Sequence, residues 1–130
     1  MQKLNQIDLK IQINRVLDLY KKKNLKESKL LTEKLILREP NISFLHNLLG
    51  AINYNLNNFH EARECYENAV RIDPSHFDAL SNLGSTLIEL NELELASKNL
   101  FKSLKLNPQS FDVYINLGKY YKKKKEYEKE

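Results

Sequence analysis

Apolar residues recur along the chain at intervals of three and four, as in Leu80, Leu83, Leu87 and Leu90. An α-helix turns once in 3.6 residues, so this spacing gathers the apolar side chains into one stripe per helix. Followed through the chain, the pattern predicts helices at about 7–22, 25–38, 43–56, 59–72, 77–90, 93–106 and 111–124. The breaks between them are a few residues long, which makes neighbouring helices antiparallel. No linker, low-complexity tract or second domain interrupts the pattern.

The breaks obey a longer period. Prolines occur at Pro40, Pro74 and Pro108, and glycines at Gly50, Gly84 and Gly118, each set spaced by 34. These are all the prolines and glycines in the chain. When each unit is counted with its glycine at position 8, the units run 9–42, 43–76, 77–110 and 111–130. Position 7 is then Leu49, Leu83 and Leu117, position 20 is Ala62 and Ala96, and position 27 is Ala69 and Ser103. Such a low content of turn residues suits helices in short hairpins and not a sandwich of many strands.

The period and these positions resemble the tetratricopeptide repeat family. The resemblance runs from Leu9 onward and implies an all-α, right-handed superhelix of antiparallel helical hairpins. Each signature residue has a physical reason. Small residues at positions 8 and 20 let the helices of a hairpin approach, while Tyr66 or Leu100 at position 24 fills the gap between neighbouring hairpins. Proline biases the residue before it, Glu39, Asp73 or Asn107, out of the helical region. Ser75 and Ser110 stand where a helix N-cap is wanted. Asn57 and Asn91 fall in the tight turns within hairpins, where asparagine tolerates a left-handed backbone.

The first unit departs from the pattern with Val16, Ser28 and Leu35 at positions 8, 20 and 27, as expected of a terminal repeat with one side in water. The last unit stops at Glu130, before its second helix is complete.

Composition narrows the function classes. With 42% hydrophobic and 29% charged residues, the chain reads as one globular domain. The net charge of +4 comes mostly from lysine, since Arg15, Arg38, Arg63 and Arg71 are the only arginines. Nucleic-acid contact favours arginine and aromatic platforms, so the runs Lys21–Lys23 and Lys122–Lys125 read as solvated helix ends, and neither a nucleic-acid nor a membrane partner is expected. Cys65 stands alone, and the first twenty residues carry five charges, so neither a disulfide nor a signal segment is expected and the cytoplasm is the default location.

Catalytic constellations are missing from the sequence. Glycines 34 apart cannot cradle a phosphate. His46, His60 and His76 lack metal-ligand spacing, and no histidine is placed to activate Cys65. The expectation is a binding scaffold with no catalytic residue, metal or cofactor.

In the family, the first helices of successive hairpins line a concave groove. Position 6 of those helices holds Asn14, Leu48, Asn82 and Asn116. Asn82-Leu83-Gly84 and Asn116-Leu117-Gly118 resemble repeats of the O-linked N-acetylglucosamine transferases, where an asparagine ladder holds extended substrate segments. A carboxamide donates and accepts, so such a row suits a peptide backbone, although Leu48 interrupts it. Asn47, Tyr20, Tyr54, Ser85 and Lys119 are further groove candidates, beside Asp78, Glu89, Asp112 and Ile115. The carboxylate clamp of chaperone-binding members needs Lys and Asn where this chain has Ile13 and Leu17, and basic residues where it has Asp78 and Asn82. That specificity is not expected.

The reading is therefore a scaffold for a protein or extended peptide. Two alternatives stand beside it: the N-terminal arm of a larger glycosyl- or sulfotransferase, and a homo-oligomeric assembly module. The latter would use Tyr114, Ile115, Tyr120 and Tyr121, which lack a covering helix.

Overall fold

The computed structural model describes residues 2–129; Glu130, at position 20 of the last unit, lies outside them. Seven helices are described: α1 (Gln2–Lys21), α2 (Leu25–Arg38), α3 (Ser43–Asn55), α4 (Phe59–Ile72), α5 (Phe77–Glu89), α6 (Leu93–Leu106) and α7 (Phe111–Glu128). Each packs on its neighbours in chain order, and α3 touches α5 and α5 touches α7, which is the arrangement of a helical-repeat solenoid.

The turns inside hairpins repeat one device. Lys23, Asn57 and Asn91 occupy position 15 with φ of 63°, 63° and 62°. The next residue's N–H then reaches back five residues, from Asn24 to Leu19 (2.9 Å), Asn58 to Asn53 (2.8 Å) and Glu92 to Leu87 (2.8 Å). A left-handed residue with such a bond closes the helix end and satisfies its last carbonyls. The asparagines match the expectation. Lys23 adopts the conformation without asparagine's tolerance, held by the packing of α2 behind it.

Lys125 occupies the same position in the last unit, yet α7 runs through it to Glu128. A helical backbone there avoids the cost of a left-handed lysine, roughly 1–2 kcal/mol. At the other end, α1 begins at Gln2, earlier than the pattern marks, because no proline or glycine precedes residue 7.

The expected serine caps are not formed. The N-cap of α5 is His76, and Ser110 at the N-cap of α7 makes no side-chain cap bond. Instead the residue before proline organises the turn. Asp73 Oδ1 accepts from the Ser75 N–H (3.1 Å) and hydroxyl (2.9 Å), and Asn107 Oδ1 accepts from the Gln109 N–H (3.2 Å). These short Asx turns compete locally with capping.

Two clusters form the core. Val16, Leu35, Leu45, Leu48 and Ile52 make one, across α1 to α3. Tyr66, Leu83, Leu87, Leu100, Val113, Leu117 and Tyr120 belong to the other, across α4 to α7. Positions 8 and 24 prove to be complementary within a hairpin. A Cβ on Gly84 would stand 2.5 Å from Leu100 Cγ, as one on Gly50 would meet the Tyr66 ring. The first unit redistributes the same volume, with Val16 and Thr32 at these positions, both fully buried. Its departure from the pattern is a compensated exchange as well as an end effect.

Position 4 also has a structural task. His46 Nε2 lies 2.8 Å from the Pro40 carbonyl oxygen, and the Tyr114 hydroxyl donates to the Pro108 carbonyl at 2.8 Å. Both satisfy an interhairpin turn.

Candidate functional site

The first helices of the hairpins, α1, α3, α5 and α7, are tied to one another by side chains spaced 35 residues apart. Position 6 of one unit donates to position 5 of the unit before. Asn82 Nδ2 donates to Asn47 Oδ1 at 3.1 Å, and Asn116 Nδ2 donates to Ser81 Oγ at 2.9 Å and to its carbonyl at 3.2 Å. A second row joins positions 13 and 12. Asn55 Nδ2 donates to the Tyr20 hydroxyl at 2.7 Å, and the Tyr54 hydroxyl donates to Glu89 Oε1 at 3.3 Å.

Between these rows lies an open depression of about 280 Å³, lined by Tyr54, Tyr66, Asn82, Ser85, Asp112, Ile115, Asn116 and Lys119. Tyr54 is its hub. Its ring meets Phe59 edge-on with centroids 5.2 Å apart. Its hydroxyl accepts from Ser85 Oγ at 3.3 Å while donating to Glu89. Burial raises the Tyr54 phenol above its ordinary pKa, Ser85 lowers it in part, and the Glu89 carboxylate raises it further, so the group stays a neutral donor and acceptor. Asp112 and Lys119 put both signs of charge on the rim, two turns apart on the same face of α7.

Seven of the groove residues expected from sequence meet here: Tyr54, Asn82, Ser85, Asp112, Ile115, Asn116 and Lys119. Asn47 joins them through its bond to Asn82. Asn14, exposed on α1, and Tyr20, bonded to Asn55, lie outside the depression. The asparagine row is not continuous. Leu48 is buried in the N-terminal cluster, and Asn116 is only 7% exposed, its amide committed to Ser81. Asn82 spends a donor on Asn47 and keeps its Oδ1 as an acceptor toward the depression. Tyr66, whose ring reaches the depression from α4, was not foreseen; its place in the hairpin gap hid it.

The aromatic and aliphatic residues suggested for self-association divide. Tyr114, Ile115 and Tyr121 are about half exposed, at 52%, 50% and 53%. Tyr120 is 8% exposed and belongs to the core, because position 10 turns inward against α5 and α6. It is not part of that surface.

Elsewhere, charge is arranged in exposed pairs between hairpins. Lys29 meets Glu61 at 3.2 Å and Arg63 meets Glu92 at 2.9 Å, while within the first hairpin Arg38 meets Asp8 at 2.6 Å. Lys22 pairs with Asp18 at 3.1 Å one turn away. Such pairs contribute little to stability individually. Among the described residues, no three His, Cys, Asp or Glu side chains gather in a metal-binding group, and no helix is long and apolar enough to cross a membrane.

Comparison with known proteins agrees with this architecture. Residues 43–76 and 65–96 match two family models, both described as tetratricopeptide repeat. No curated protein matches the chain. Among solved structures, the Sgt2 TPR domain from Aspergillus fumigatus superposes with a TM-score of 0.88 at 16% identity, over 95% of this chain and 83% of that one. The first TPR of Spaghetti (RPAP3), bound to the HSP90 peptide SRMEEVD, gives 0.82 at 22% identity, over 88% and 90%. The second TPR domain of human RPAP3, in complex with the HSP70 peptide SGPTIEEVD, gives 0.79 at 17%, over 85% and 92%. At these identities the likeness is one of fold.

Proposed function

We propose that this chain is a tetratricopeptide-repeat scaffold for protein binding that holds an extended peptide in the depression between α3, α5 and α7. The observation that carries the reading is the convergence of Tyr54, Asn82, Ser85 and Lys119 on that depression. A tyrosine ring offers apolar area at low entropic cost, and the carboxamide oxygen, hydroxyl and ammonium around it suit a main chain's alternating donors and acceptors. The solved structures with the same fold that hold peptides support the class of ligand.

The peptides in those structures end in Glu-Glu-Val-Asp. This chain does not present the basic pair and the Lys and Asn that a carboxylate clamp requires; Asp78, Asn82, Ile13 and Leu17 stand there. The ligand is therefore read through its backbone and one or two apolar side chains, in a groove of mixed charge, and not through a terminal carboxylate.

Selection from a displayed random peptide library tests this. Selected peptides are expected to lose about tenfold or more in affinity for Tyr54→Ala and Lys119→Ala, and to tolerate amidation of their C-termini. Equal binding to the wild-type chain and to both variants overturns the reading.

A further inference from the structure

The floor of the depression holds polar atoms that the protein leaves unpaired. Two residues that line it are almost fully buried, Tyr66 at 2% exposure and Asn116 at 7%. The Tyr66 hydroxyl and Asn116 Oδ1 bond to no group among the described residues. Asn53 Oδ1 alone is sealed from solvent without a partner there, so the other two atoms open on the depression that their side chains line.

The donors around them are mostly committed. The Asn116 amide donates to Ser81, the Ser85 hydroxyl to Tyr54, the Tyr54 hydroxyl to Glu89, and one Asn82 N–H to Asn47. What stays open is mainly acceptor: Oδ1 of Asn82 and of Asn116, the Tyr66 phenol oxygen and the Asp112 carboxylate. Asp112 is exposed and forms no ion pair among the described residues. Glu89 adds a second carboxylate beside Tyr54. Lys119 is the one cation of the lining, about 10 Å along α7 from Asp112.

An extended main chain that crosses the mouth does not reach this floor. A long side chain does, and the open chemistry selects its end: rich in N–H donors and positively charged. Its stem must also suit half-exposed Ile115 and the Tyr54 ring. A guanidinium meets all of these conditions, with five donors in a rigid fork and no acceptor. An ammonium gathers its donors on one atom and matches separated oxygens less well. A carboxylate is repelled by Asp112, and an apolar end leaves the floor oxygens unpaired.

We infer that the depression is the pocket for an arginine side chain of the bound peptide, its guanidinium on Asp112, Asn82 Oδ1 and Asn116 Oδ1. Lys119 then holds a main-chain carbonyl at the opposite end. The inference rests on the peptide reading and names the residue that the site selects; apolar side chains of the ligand fall to either side of it.

Peptides selected on the wild-type chain are expected to share one arginine. Changing it to alanine is expected to weaken binding about tenfold or more, and changing it to lysine severalfold. On Asp112→Asn, a change at an exposed residue that the fold tolerates, most of the alanine penalty is expected to vanish. Glu94→Gln removes an equal charge from an exposed position on α6, outside the depression, and is expected to change nothing. Peptides that need Tyr54 but share no arginine would overturn the inference and leave the scaffold reading standing. Peptides indifferent to Tyr54→Ala would overturn both. Lysine bound as tightly as arginine, or an alanine penalty undiminished on Asp112→Asn, would also overturn the assignment.

Discussion

Tyr66 stands where a side chain on residue 50 would have to be: a Cβ there would lie 2.5 Å from the ring's Cε1 and 2.7 Å from Cδ1. The ring is 2% exposed and hemmed by both hairpins, so it cannot swing away. Gly50→Ala is expected to lower stability by about 1–3 kcal/mol, overpacking outweighing the helix propensity gained. Gly118→Ala meets open space and is expected to raise it by about 0.5–1 kcal/mol. Urea denaturation of the two variants beside the wild type checks both signs.

The two asparagines of the α5–α7 row differ in what they hold. Asn116 is buried, with its amide on two Ser81 oxygens. Replacing it by alanine strips two bonds from the largely buried Ser81, and a loss of about 1–2 kcal/mol is expected. Asn82 bonds one partly exposed carboxamide, which water replaces, so Asn82→Ala should cost less than half as much while carrying the larger effect on peptide binding. Thermal melts and peptide titrations on the same pair of variants separate the structural asparagine from the binding one.

Asn53 is a buried polar residue in an apolar setting. It is 2% exposed, its Nδ2 donates weakly to Cys65 Sγ at 3.7 Å, and its Oδ1 has no partner. Leu19 and Leu87 hold the same position in the neighbouring units. Asn53→Leu is expected to stabilise the chain by about 1 kcal/mol, since it removes an unsatisfied acceptor. A lower midpoint in urea would show that the cavity cannot take the larger side chain.

Burial pushes the Cys65 thiol up to about 11; the hydrogen bond from Asn53 opposes it in part, the carboxylates of Glu64 and Glu61 add to it, and Lys29 offsets it least. Only the thiolate attacks, so at pH 7.5 its labelling by a disulfide reagent should run roughly a hundredfold slower than that of an unperturbed cysteine. The rate is expected to climb with pH up to about 11 in the folded chain. In urea it should reach the ordinary value at pH 7.5. Fast labelling of the folded chain would contradict the burial.

How much the sequence disclosed depended on whether a feature was periodic. The proline and glycine spacing fixed the hairpins, and Asn57 and Asn91 marked their own left-handed turns. Features that rest on the offset between hairpins were hidden. The bonds from Asn116 to Ser81 and from Asn55 to Tyr20 span 35 residues, one more than the repeat, because each hairpin is rotated on the last. Groove positions carried over from the family therefore named the right side chains without showing which were already engaged with one another. Tyr120 illustrates the same limit: one helical step separates it from exposed Tyr121, and only the three-dimensional packing decides which of the two turns inward.

The division of the core into two clusters bears on how the chain comes together. Leu45, Leu48 and Ile52 of α3 belong to the N-terminal cluster, while Ala62 and Tyr66 of α4 belong to the C-terminal one. The seam therefore runs down the middle of a single hairpin. Repeat arrays can nucleate anywhere and propagate from neighbour to neighbour, so here each half is able to start on its own and the α3–α4 hairpin is where they become one cooperative unit. Loosening Gly50 against Tyr66 would then do more than lower a midpoint: it would split one sharp unfolding transition into two, with the halves melting separately on either side of the hairpin.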